Sequence, residues 1–99
     1  MKPLYHKFSH SQYDEAGVLC GFSVECPENF NFAYDVVDVI AAQEPEKTAL
    51  VWCNPEGEEK IFSFAQMKDL SNRAANYLFR CGIRKGDRVM LMLKRHYEY

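Results

Sequence analysis

His6 and His10 stand four residues apart in "HKFSH". On a helix they would share one face, the arrangement that metal-binding histidine pairs use. The glutamate of H-E-x-x-H is absent and no third ligand is evident, so surface histidines on a flexible arm account for the spacing better. "RKGDR" (Arg84–Arg88) is a second candidate. Gly86 would let backbone N–H groups converge, and Arg84, Lys85 and Arg88 would attract an anion. It lacks the G-x-x-x-x-G-K-[ST] order of a P-loop. The competing reading is a turn: Gly86 takes a positive φ, Asp87 bonds nearby backbone, and the bases stay solvated. The turn is the better account.

Asp35 and Asp38 could be paired carboxylates, but stabilising a helix N-terminus explains them without chemistry. Cys81 lies on an apolar stripe and reads as a small core residue. Cys20, Cys26, Cys53 and Cys81 match no zinc spacing. No Ser/His/Asp set emerges. No catalytic, cofactor-binding or metal-binding residue is therefore assigned.

These residues need elements to position them. Residues 1–29 read as an irregular N-terminal arm, interrupted by Pro27. Phe32, Val36, Val39 and Ile40 recur at helical spacing, which predicts a short helix over Ala33–Gln43 ended by Pro45. "TALVWCN" and "KIFSF", joined by "PEGEE", predict a β-hairpin. Ser63 and Gln66 have capping-box spacing, and Phe62 and Met67 can form a hydrophobic staple. A helix follows over Phe64–Cys81, with Met67, Leu70, Ala74, Leu78 and Cys81 on one stripe and Gly82 at its C-terminal stop. Val89, Leu91 and Leu93 then alternate with Met90 and Met92. Both faces are apolar, which predicts a strand buried on both sides in a parallel sheet, reached by a strand–helix–strand crossover. Lys94–Tyr99 would open the next connection. The fold class expected is α/β.

Composition narrows the function. With 47% hydrophobic and 14% aromatic residues the chain has core material, which excludes general disorder. Residues 1–46 carry two bases and eight acids; residues 47–99 carry ten bases and six acids. Two differently charged solvated faces explain this better than a nucleic-acid patch. No apolar run approaches the ~18–20 residues that span a bilayer. The N-terminus lacks an apolar signal-peptide core, so reduced thiols in a cytoplasmic protein are expected.

The order of residues adds a resemblance. "IFSFAQMKDLSNRAANYLFRCGIRKGDRVMLML" resembles the start of the AMP-binding domain of adenylate-forming enzymes, with its "TY/SF-x-E-L", "N-R-x-A-x-x-L" and "G-[IV]-x-x-G-D-x-V" segments. The matches are Ser63–Phe64, Leu70, Asn72–Arg73, Ala75, Leu78, Gly82–Ile83, Gly86–Asp87 and Val89. Gln66 and Met67 depart from the usual Glu and Leu. "FNFAYDVVD", "PEKTALVW" and "LMLKRHYEY" look like short- and medium-chain acyl-CoA synthetases. The likeness spans residues 30–99, which would form an incomplete N-terminal subdomain of the large AMP-binding domain.

The resemblance implies an acid–thiol ligase. ATP and a carboxylate give an acyl-adenylate and pyrophosphate, and coenzyme A then gives acyl-CoA and AMP, with Mg2+ assisting. The family's ATP loop and catalytic lysine have no counterpart in residues 1–99. A fragment inactive by itself is therefore expected, with the rest of the parent enzyme as its partner and neither nucleic acid nor membrane. The alternative is a non-enzymatic binding or interaction module, or a truncated gene product.

Overall fold

The computed structural model describes residues 3–99. The strongest local signals lie in the middle of the chain. β3 (Thr48–Cys53) and β4 (Glu59–Ser63) form an antiparallel hairpin, with Val51 opposite Ile61 and Trp52 opposite Lys60. Its turn is set by Asn54, whose Oδ1 accepts the Glu58 N–H at 2.8 Å. Gly57 completes the reversal at φ 87°. Ile61 is exposed and Phe62 half-buried, as the alternation requires.

The hairpin runs directly into α2 (Phe64–Arg80), and that junction is fully bonded. Ser63 Oγ accepts the Gln66 N–H at 3.3 Å, and Gln66 Oε1 accepts the Ser63 N–H at 2.9 Å, the predicted capping box. The Phe64 and Ala65 N–H groups, which no helix can satisfy internally, donate to the carbonyls of Lys47 and Pro45. The far end closes as a Schellman motif: the Gly82 N–H meets the Phe79 carbonyl and the Ile83 N–H the Leu78 carbonyl, each at 3.1 Å. Gly82 holds φ 90°, a conformation with a steric penalty for any residue carrying a Cβ.

The helix predicted over Ala33–Gln43 is present with a change of winding. A π-helical stretch, Ala33–Asp38, continues as α1 (Val39–Gln43). Asn31 and Asp35 fasten its start, since Asp35 Oδ2 accepts the Asn31 N–H at 2.8 Å. This helical segment packs on α2. There lies Ala41, the one buried hydrophobic among the described residues, at 7% exposure.

Three expectations are corrected. First, the arm expected to be irregular over residues 1–29 is ordered, its first two residues lying outside the described ones. A 3-10 turn, Leu4–Lys7, leads into an antiparallel hairpin of β1 (Ser9–Tyr13) and β2 (Leu19–Val24). Asp14 Oδ1 accepts the N–H groups of Ala16 and Val18, both at 2.9 Å, and Gly17 turns at φ 79°. Second, Val89–Leu93 forms no strand, and both sheets among the described residues are two-stranded and antiparallel, so the parallel crossover is absent there. An apolar alternation becomes a strand only when a neighbouring strand takes its N–H and C=O groups. Third, three of the five residues of the α2 stripe face outward: Met67 and Leu78 are partly covered, while Leu70, Ala74 and Cys81 are exposed.

The exposed apolar surface has a measurable size. The chain presents 8807 Å² to solvent, whereas a self-contained protein of 11.5 kDa presents about 5,800 Å². Its radius of gyration is 17.4 Å, against about 13 Å for a compact domain of this length.

The capping box is directly testable. Ser63→Ala removes the acceptor for the Gln66 N–H, a loss of about 1 kcal/mol in the first turn of α2. Amide exchange at Gln66 is expected to accelerate about fivefold, from that same free energy, with the middle of α2 much less affected. Unchanged exchange at Gln66 would refute the cap.

Candidate functional site

The residues singled out for chemistry scatter when the chain folds. His6 lies in the 3-10 turn, its ring centroid 4.2 Å from that of Tyr5. His10 lies on β1, with Nε2 3.7 Å from the Glu25 carboxylate. A shared helix face is thus ruled out, and no group of three or more His, Cys, Asp or Glu suited to a metal occurs among the described residues. Asp35 is engaged with Asn31. Asp38 instead faces α2, with Oδ2 4.0 Å from Lys68 Nζ. The two carboxylates therefore do separate structural work. All four cysteines are free and exposed, which removes Cys81 from the core.

"RKGDR" folds as a turn built around its own charges. Gly86 sits at φ 98°, and the Asp87 N–H donates to the Arg84 carbonyl at 3.0 Å. Asp87 Oδ2 accepts the Arg84 N–H at 2.7 Å. The Arg84 guanidinium lies 4.0 Å from the Phe79 ring centroid, and its Nη1 donates to the carbonyls of Phe79 and Ile83 at 2.9 Å. A cation committed to a ring and to the end of α2 locks the helix terminus. A carboxylate already occupies the backbone N–H that a phosphate would need.

The most organised polar cluster lies elsewhere and was missed in the sequence. The segment after residue 94 folds back across the β3–β4 hairpin. Trp52 Nε1 donates to the Arg95 carbonyl at 2.7 Å. Lys60 Nζ donates to the Tyr97 hydroxyl at 2.7 Å and lies 4.2 Å from its ring centroid. The Tyr97 ring meets Trp52 edge-on and Phe62 at a tilt, both at 5.4 Å. The available signal was modest: one Trp and one Lys on facing strands, and a terminal "HYEY". Nothing local in those letters says that they meet across more than 35 residues.

This clasp roofs an apolar groove of about 410 Å³ over α2, lined by Phe62, Met67, Leu70, Ala74, Tyr97 and Tyr99. A second groove, of about 430 Å³, lies between the N-terminal hairpin and the first helix, walled by Phe8, Val24, Phe30, Phe32, Val36 and Ile40. Neither contains the convergent polar groups of a catalytic pocket. What the geometry does well is hold α2, its cap and the Gly86 turn in one frame.

That frame coincides with a family signature. The model of the family described as "AMP-binding enzyme" matches residues 37–99, from the first helix to the clasp. The chain belongs to the AMP-binding enzyme family. Among curated proteins it is similar to "Acyl-coenzyme A synthetase ACSM4, mitochondrial" of Rattus norvegicus, 43% identical over 74% of this chain. It is 40% identical over 79% of the chain to ACSM3 and 42% over 76% to ACSM1, both acyl-coenzyme A synthetases of Homo sapiens named mitochondrial. Each alignment covers 14% of the relative's own length. The family resemblance seen in the motifs is therefore correct. No helix among the described residues is long and apolar enough to cross a membrane.

The Lys60–Tyr97 contact makes a prediction about pH. The hydrogen bond to Tyr97, partly opposed by desolvation and aided by Glu98 and Glu58, raises the Lys60 pKa above the ordinary lysine value. A raised folded-state value means that the clasp is fully stabilising below the unfolded lysine pKa and fades as pH rises through the folded one. Tyr97→Phe is expected to bring the Lys60 titration down toward the ordinary value, read by NMR of the Lys60 side chain. An unchanged titration would show that the hydroxyl does not hold the ammonium.

Proposed function

We propose that residues 30–99 are the N-terminal structural layer of the AMP-binding domain of an acyl-CoA synthetase, a ligase that joins a carboxylate to coenzyme A in a reaction driven by ATP. The observation that carries this reading is the family match over residues 37–99, which contains the capped helix, its Gly82 stop and the Gly86–Asp87 turn as one folded unit. Similarity to three proteins named as acyl-coenzyme A synthetases supports the acyl-CoA branch. In this reading the matched residues are architectural. ATP, Mg2+ and coenzyme A would be held by parts of the enzyme outside residues 1–99, and no step is assigned to this chain's side chains.

The reading has two separable tests. The chain alone, given ATP, labelled pyrophosphate and a panel of short and medium carboxylates, is expected to show no exchange above blank. Turnover would mean that a reacting site lies within these residues. Replacing the aligned segment of the rat ACSM4 synthetase with this one is expected to leave acyl-CoA formation within about tenfold of the parent, as for a scaffold that touches no reacting atom. A folded chimaera with no activity would overturn the structural role.

A second reading, a non-enzymatic interaction module, is favoured by one observation: surface exposed well beyond that of a self-contained chain. It predicts a partner rather than a reaction. The compartment proposed is the mitochondrion, following the relatives' names rather than the cytoplasmic expectation from cysteine content. Fractionation of cells expressing the tagged chain checks this; recovery only in the cytosol would restore the earlier expectation.

A further inference from the structure

We draw no further inference here: the strongest candidate, the apolar groove of about 430 Å³ between the β1–β2 hairpin and the first helix, carries nothing because the chain spans 14% of the length of the relatives it matches and nothing in the structure shows what covers that groove.

Discussion

The structure depends on the junction at Ser63. One residue ends β4, caps α2 and bonds Gln66 in both directions. The next two N–H groups reach the carbonyls of Lys47 and Pro45, beside β3 and just beyond α1. The orphan donors of one helix thereby tie together two strands and the end of another helix. Removing any of these acceptors would leave an amide without its partner and loosen contacts distant in sequence. The half-burial of Phe62, Phe64 and Met67 follows from this geometry, since the cap sets the angle at which α2 crosses the hairpin.

The same junction explains why some elements were readable. Capping boxes, helix stops and Asx–Gly turns bond locally, so their residues announce them. Ser63, Gln66, Gly82 and the "NPEGE" turn all behave as their spacing requires. The N-terminal hairpin shows the limit. Its turn, "DEAGV", repeats the construction of "NPEGE": an Asp or Asn side-chain oxygen bonding the N–H four residues on, with a left-handed Gly at the fourth position. The signal was present, but the flanking "SHSQY" is polar and did not look like a strand. Pairing with β2 overrides that composition.

Val89–Leu93 failed in the opposite sense. Its pattern is a stronger strand signal than that of β1, yet it pairs with nothing among the described residues. Periodicity reports which face a residue would bury, not whether a partner is present to bury it. The candidate site divides along the same line. The turn reading of "RKGDR" succeeded because Arg84 and Asp87 bond within it. The clasp of Trp52, Lys60 and Tyr97 is a long-range contact that no local pattern encodes.

These failures share one physical origin. A sheet edge and an apolar helix face are unfinished interactions, and their free energy is realised only when a second surface arrives. Here the clasp completes part of that surface by placing Tyr97 and Tyr99 over the α2 groove. It leaves Leu70 and Ala74 still accessible beneath them, and the next stretch upstream unpaired. Lys60 sits where the two conditions meet. Its ammonium is held by an aromatic ring and a hydroxyl, contacts that tolerate solvent, whereas the exposed apolar side chains of Val89–Leu93 do not. The polar clasp therefore forms among the described residues, while the apolar Val89–Leu93 segment has no ladder partner among them.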